Sequence, residues 1–528
     1  MAIDLPPNTA HHFSGSAPPV QCQNLTARRV IIANGHLLAR CVPQEITDQQ
    51  LARHLQAATN YTEVEQGLLM AINEAGIVNA SVLIRSEAGR YSAWVMTKPI
   101  SKLDGAEPLQ AYFASFDSDD PVARSDFEIA SRYAEVHARR AGFEPYALYE
   151  SEANNTAGTT MKLRVEDQRK SPWDYSYALN NAGQRYLGRW FTNLGTAYTK
   201  LDSTRLGARL STSLPALGDD PSEAHYLGIG LFEDHVQSWG LTRVDLQYAE
   251  FDYLDFGNGR RRLAADAVGE APPRVEASIT TMSFGAEQLL HAGPQWSWSL
   301  DGLVGGKHYR RRVAEQPDSN STESYGHATV GLRSRWQAPD AWGRPVWFAR
   351  LALRSGLGLG KLENDAQENF IAPTLETGAA INIGPAGRIS AELAAQHSAD
   401  PLPESEEWLL GGSQRLRAWL PGVIVGDRGQ YQALRYQPPT LALGEFGLVL
   451  ELGYERGAAT FVRRDETGER PRQVLSDLFA SLTLETSSPW MLAISAAKPD
   501  QSSGVDQQYL ESQRVDYFLS LSRGWSAN

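Results

Sequence analysis

From about residue 170 to the end of the chain, apolar and polar residues alternate one by one. In "QWSWSLDGL" (295–303), Trp296, Trp298 and Leu300 fall on one face and Ser297, Ser299 and Asp301 on the other. Period two is the signature of a strand, and one polar face opposite one apolar face places that strand between two media. The same texture runs through "TRLGARLSTSL" (204–214), "VDLQYAEFDYL" (244–254), "PVWFARLALRSGLGLG" (345–360), "RISAELAAQ" (388–396) and "LFASLTLET" (478–486). It ends in "RVDYFLSLSRGW" (514–525), where Val515, Tyr517, Leu519 and Leu521 share the parity of Trp525. Such a strand closed by an aromatic suits the lipid face of a membrane barrel, with the aromatic in the interfacial girdle. The length after residue 170 accommodates about sixteen strands of roughly 22 residues each, turns and loops included.

Before residue 170 the period changes. Residues 1–27 are rich in Pro, Ser, Ala and Asn and read as a flexible arm. "RRVIIANG" (28–35) is strand-like. "ITDQQLARHLQAA" follows with Thr47 as N-cap and Leu51 and Leu55 four apart, then "EVEQGLLMAINEAG" with Val64, Leu68 and Ile72 on one side and Gly76 at the end. Two strands come next, "NASVLIRS" and "RYSAWVMTK". A similar order returns: "LQAYFASF" (109–116) reads as a strand, Asp119 and Asp120 before Pro121 as a helix start, residues 122–140 as a helix stopped by Gly142, and "FEPYALYES" and "TTMKLRVED" as strands around a turn at 152–158. The chain thus divides into an arm (1–27), two small α+β modules (28–102 and 103–168) and a barrel region (169–528).

Composition narrows the function. Net charge is −13, and the basic run "GRRR" at 259–262 reads as a solvated loop, so no nucleic-acid footprint is read. Cys22 and Cys41 are the only cysteines, which excludes a disulfide framework or a cysteine-rich metal site, although one bond between them would tie the arm to the first module. No apolar run reaches the roughly 18 residues of a membrane helix, a criterion that does not bear on barrels. "MAIDLPPNTAHHFSGSAPP" shows no signal peptide; for an exported protein that start is expected to be a processed or re-engineered one. "SGLGLGK" (355–361) has the wrong glycine spacing for a phosphate loop, with Leu362 after the lysine, and its leucines alternate as in a strand. "FDSDD" (116–120) lacks the later Gly and Glu of a calcium loop. No catalytic constellation and no cofactor or metal site is read, and the chain is not expected to be an enzyme.

Three short motifs carry more. "LRAW" is Leu416, Arg417, Ala418 and Trp419, preceded by "LGG" at 410–412. "GDRG" holds Gly426, Asp427 and Gly429. "GYERG" holds Gly453 and Glu455. With two tandem modules and a long barrel region, they resemble the two-partner secretion transporters of Gram-negative outer membranes. Those have two POTRA domains, a sixteen-stranded barrel, and a loop folded into the lumen bearing an arginine motif. Trp419 stands where that family usually has Tyr or Phe, and Glu455 where its wall motif has Asp. The resemblance implies a mainly β protein: two α+β POTRA domains, then a sixteen-stranded antiparallel transmembrane barrel whose loop near 405–425 folds inward. It implies an outer-membrane pore exporting a large β-helical partner exoprotein, recognised by periplasmic POTRA domains, without nucleotide hydrolysis. A barrel-assembly factor of the same superfamily and a surface β-sandwich adhesin are the alternative readings. Arg417 needs an acid inside the lumen; Glu455 is the expected partner, with Asp427 as second or alternative.

Overall fold

The computed structural model describes residues 3, 5–6, 8–12, 26–87, 90–97, 100, 102–117, 120–151, 159–167, 171–183, 189–214, 217, 225–254, 274–313, 320–338, 341–362, 368–462, 472–486 and 489–526. Cys22, Asp119, the turn at 152–158 and the basic run at 259–262 lie outside them. Cys41 is disulfide-bonded.

The first module is a five-stranded sheet backed by two helices. Its strand order is Thr9–His12, Ala80–Glu87, Arg90–Thr97, Gly35–Val42, Thr26–Ile32. The strand-like "RRVIIANG" supplies the first arm of a hairpin, with Arg28–Ile32 inside the strand Thr26–Ile32. The two-residue turn Ala33–Asn34 sets Gly35 opposite Ile32 and sends the chain back along Gly35–Val42. Thr47 caps the Asp48–Leu55 helix with a full capping box, and Leu51, Leu55, Val64, Leu68 and Ile72 bury against the sheet. Part of the arm expected to be flexible is docked instead. Thr9–His12 pairs in parallel with Ser81–Ile84. The Asn8 side chain bonds Asn73, the Ile77 carbonyl and the Ala80 amide, and Ile3 buries in the core of the second module.

The second module packs one long helix, Arg124–Arg140, on a three-stranded sheet ordered Lys102–Gly105, Thr159–Asp167, Phe143–Ser151. "LQAYFASF" is not a strand. It forms the end of a helical turn (Glu107–Gln110) and a 3-10 turn (Ala114–Phe116). Its buried residues Leu109, Tyr112, Phe113 and Phe116 carry the helical spacing i, i+3, i+4, i+7. The long helix starts at Arg124 with Ala123 as its unassisted cap, so Asp120 is not the N-cap.

Among the described residues, sixteen antiparallel strands close into a barrel, from Trp173–Asn180 to Tyr517–Ser526, whose register runs Ser520 opposite Asn180 to Ser526 opposite Asp174. Closure leaves no unpaired edge. Outward positions are large and apolar in alternation: Ile229 and Leu231, Val244, Leu246 and Tyr248, Met282 and Phe284, Val330 and Leu332, Leu351 and Leu353 are all exposed. A continuous belt of this kind is what a barrel presents to hydrocarbon. Aromatics gather at the end of the barrel with the short turns: Trp296 meets Trp298, Trp336 and Trp347, and Trp525 stacks on Tyr175. Val515 is not part of the lipid face; it is buried against Leu420 and Phe518.

The second module seats on that same end through the Arg124–Arg140 helix. Tyr133 Oη accepts the Leu289 amide at 2.6 Å, Ser125 Oγ accepts the Ala292 amide at 3.0 Å, and Arg140 Nη1 donates to Asp234 at 2.5 Å. His137 sits between the Tyr112 hydroxyl (2.9 Å) and the Leu201 carbonyl (3.0 Å). Burial pushes its pKa below the usual histidine value, against the opposing pull of that carbonyl and of Asp202.

Candidate functional site

The 31 residues from 397 to 427, between strands Arg388–Gln396 and Arg428–Gln437, do not extend outward. They fold into the lumen as a tongue. Its stem is a two-stranded ribbon pairing Trp408–Leu410 with Ile424–Gly426. At Gly411, with φ +110°, the chain turns so tightly that a Cβ would lie 2.1 Å from the Leu420 carbonyl oxygen, so only glycine fits. The Gly412 amide then donates to the Trp419 carbonyl at 2.8 Å, closing the tip around residues 413–418.

The tip is held largely by its backbone. Leu416 takes a left-handed φ of +58°, a conformation costly for a branched side chain. That turn aims successive amides at the barrel wall, in the manner of an anion-binding nest. Leu416 N–H donates to Glu455 Oε2 at 2.7 Å and Arg417 N–H to the same oxygen at 3.3 Å. Ala418 N–H donates to Asp477 Oδ2 at 2.7 Å. Glu455 and Asp477 stand directly opposite each other on adjacent strands, and both are 0 % exposed. Two adjacent buried carboxylates repel and lose hydration. The three tongue amides and the Tyr431 hydroxyl, which donates to Glu455 Oε1 at 2.7 Å, offset that cost.

The Arg417 side chain is arranged differently from the expected bidentate pair with Glu455. Its Nη1 donates to Glu451 at 3.1 Å, its Nε to the Ser413 carbonyl at 3.1 Å, and its guanidinium carbon lies 3.6 Å from the centre of the Phe479 ring. Glu455 comes no nearer than 3.9 Å, at Nε. The reason is that both Glu455 oxygens already accept from the backbone and Tyr431, so the fork rotates to the next acid of the same parity on the strand, Glu451. Asp427 is not a partner of Arg417 in either role. It is buried on the stem side, where it accepts the Leu402 amide at 2.7 Å and the Val462 amide at 2.8 Å, fixing where the tongue joins the wall. Arg415, beside the tip, faces Glu376 and Glu392 at 3.6 and 3.5 Å and lies over Tyr431.

The motif glycines make room. A Cβ on Gly429 would meet the Trp408 indole at 1.9 Å, one on Gly453 the Phe479 ring at 2.4 Å, and one on Gly426 the Thr460 backbone at 2.7 Å. A Cβ on Gly457, a position not singled out in the sequence, would meet Leu410 and Leu416. Trp419, 2 % exposed, packs with Leu410, Tyr509 and Leu510. A further strap crosses the tip: Leu420 N–H donates to the Gln513 carbonyl at 2.9 Å, and the Ala418 carbonyl accepts from Val515 N–H at 2.9 Å. The segment that does this lies between the last two strands and carries the short helix Gln507–Gln513.

Sequence reasoning missed Asp477, Glu451 and Glu406. The first two had a signal: each is an acid on the inward parity of an alternating strand, in "LSDLF" and "VLELGYE". Glu406 had none, since it is one of four acidic-rich loop residues, 404–407, and only folding shows where it points.

A sixteen-stranded barrel carrying two N-terminal α+β modules at its short-turn end, with a tongue inside its lumen, is the class this architecture defines. No protein-family model matches the sequence, and no curated protein matches it either. Solved structures do match. CdiB from Escherichia coli superposes with a TM-score of 0.74 at 12 % identity, over 97 % of this chain and 93 % of that one. CdiB from Acinetobacter baumannii gives 0.65 at 12 % identity, over 100 % and 95 %. The chain has the CdiB fold, which is the two-module, sixteen-strand architecture that the sequence resemblance implied.

Proposed function

We propose that this chain is the outer-membrane translocation pore of a two-partner secretion system, passing a large exoprotein from the periplasm to the cell surface, and that it is not an enzyme. The observation that carries this reading is the tongue. A closed barrel with a lipid belt needs only filler in its lumen to be stable. Here the filler is a loop joined at both ends to the long-loop side, crossed by the 504–516 strap and seated on the wall through hydrogen bonds, ion pairs and an apolar cluster around Leu410, Leu416 and Trp419. The bonds of its tip to Glu455 and Asp477 are buried at rest and can be taken over by water once the tip lifts, while the apolar cluster around Leu410, Leu416 and Trp419 opposes release and keeps the pore closed until a substrate engages it. The likeness to the two CdiB structures supports the same reading.

The modules would lie in the periplasm, at the short-turn end. Their outer strands, Thr26–Ile32 in the first sheet and Phe143–Ser151 in the second, have one edge without a strand partner among the described residues. An extended exoprotein chain, of the β-helical type, can add to such an edge through main-chain hydrogen bonds. No nucleotide is available there, so direction comes from folding outside. A domain stabilised by about 5–15 kcal/mol after exit does not unfold to return. Deleting residues 28–168 tests the receptor role. The truncated barrel should still show heat-dependent migration on a detergent gel and should no longer secrete its partner; undiminished secretion would overturn the reading. Secretion lost together with defective assembly of other barrels would favour the assembly-factor alternative.

A further inference from the structure

Glu406, at the root of the tongue, is 2 % exposed, and both of its oxygens are taken. Oε1 accepts from Lys307 Nζ at 2.5 Å and from Tyr325 Oη at 2.8 Å; Oε2 accepts from Arg354 Nη1 at 2.6 Å. The three donors sit on three consecutive wall strands, Trp296–Val313, Ser321–Gln337 and Val346–Lys361. The wall therefore supplies a complete carboxylate cradle, and the carboxylate in it is delivered by a loop.

The cradle borders a lumenal cavity of about 650 Å³, whose lining carries six cationic side chains (Arg140, Arg243, Lys307, Arg333, Arg350, Arg354) against four acidic ones, Glu406 included. Arg140 is paired with Asp234, Arg243 with Asp245, Arg333 with Glu287 and Asp301, and Arg350 with Asp301, which leaves Lys307 and Arg354 as the pair that Glu406 neutralises. His327 lines the same cavity at 6 % exposure, and its Nδ1 finds no hydrogen-bond partner among the described residues. The His327 ring thus leaves a polar atom open to a further partner at the edge of the cradle.

We infer that Lys307, Tyr325 and Arg354 form a carboxylate-binding site for acidic side chains of the polypeptide in transit, and that Glu406 is the resident occupant that keeps it closed at rest. This rests on the export reading. When the tongue shifts, Glu406 leaves and the cradle would stand as two partly buried cations without their carboxylate and a hydroxyl, a state that an arriving Asp or Glu relieves. The exchange of one carboxylate for another needs no covalent step. It makes the tongue's release easier in the presence of an acidic segment than in its absence, because the same donors are satisfied before and after.

The test is binding of fluorescein-labelled decaglutamate to the detergent-solubilised full chain, read by anisotropy at low ionic strength. Glu406→Ala should bind it at least tenfold more tightly than the parent chain. Adding Arg354→Met should return affinity to the parent level, excess acetate should compete, and decaglutamine should not bind. Equal affinity for parent and Glu406→Ala, indifference to Arg354→Met, or equal binding of decaglutamine overturns the site. Should Glu406→Ala lose its heat-dependent gel shift, Glu406→Asp takes its place. Its shorter arm cannot satisfy all three donors, so affinity must still rise above the parent's, and no rise overturns the site. The assay requires no secretion, so a failure of the export reading leaves its outcome separately readable.

Discussion

Replacing Glu455 by Gln keeps the side chain's size and removes its charge, which isolates what holds the tongue tip. The carboxylate accepts three hydrogen bonds, from Leu416 N–H at 2.7 Å, Arg417 N–H at 3.3 Å and Tyr431 Oη at 2.7 Å. A Gln oxygen placed toward the two amides puts its NH₂ toward Tyr431, whose hydroxyl already accepts from Arg435 at 3.0 Å and would lose its acceptor. A bond to a charged group contributes about 1.5–3 kcal/mol and a neutral one about 0.5–1.5. Weakening the amide bonds and losing the tyrosine bond therefore costs roughly 2–4 kcal/mol. Relief of the repulsion with Asp477, directly across the strand pair, moves the value toward the lower end. Since about 1.4 kcal/mol is a factor of ten, the population of released tips should rise roughly thirtyfold to several hundredfold. Hydrogen exchange with mass spectrometry on detergent-solubilised protein reads this directly, because the amides of 416 and 417 exchange only when the tip lets go. Ala418, bonded to Asp477, should accelerate with them if the tip moves as one body. Unchanged exchange at 416 and 417 in a folded variant would refute the backbone-nest account of the tongue.

Two more expectations follow from the same geometry. In double-mutant cycles read by exchange at the tip, Arg417→Ala should couple more strongly to Glu451→Gln than to Glu455→Gln, because the side-chain distances are 3.1 and 3.9 Å; the reverse order would restore the simple Arg417–Glu455 pair. His137, whose pKa is held down by burial, stabilises the seating of the second module while neutral. The unfolded or undocked chain takes up the proton first as pH falls below about 6.5. The stability is thus present above that pH and lost as pH falls through the depressed folded value. Exchange protection of the 124–140 helix should fall between pH 7.5 and 5, and His137→Gln should flatten that dependence.

The alternation of side chains settled the broad outline of this protein without coordinates. A strand between two media must alternate, so the strands and the apolar parity that ends in Trp525 are written in local pattern; a sandwich alternates too, and it is the motifs at 416–419, 426–429 and 453–455 that favour the barrel. The helices around Leu51, Leu68 and Phe127 are also written in local pattern, since their spacing follows the helical turn. Where a local signal was misread, it was present: the 3,4 spacing of "LQAYFASF" is legible. What no local pattern contains is which distant groups meet. Residues 416–418 face Glu455 and Asp477 because strand register places those acids opposite each other and because the left-handed φ at Leu416 turns the amides toward them. Arg417 turns to Glu451 because the backbone had already occupied Glu455. Glu406 becomes buried only because the tongue returns it to a wall built from residues 307, 325 and 354. Periodicity reports the medium each residue faces, a one-body property of the chain, whereas hydrogen-bond partners 34 to 99 residues apart depend on closure and register, which only the folded barrel sets.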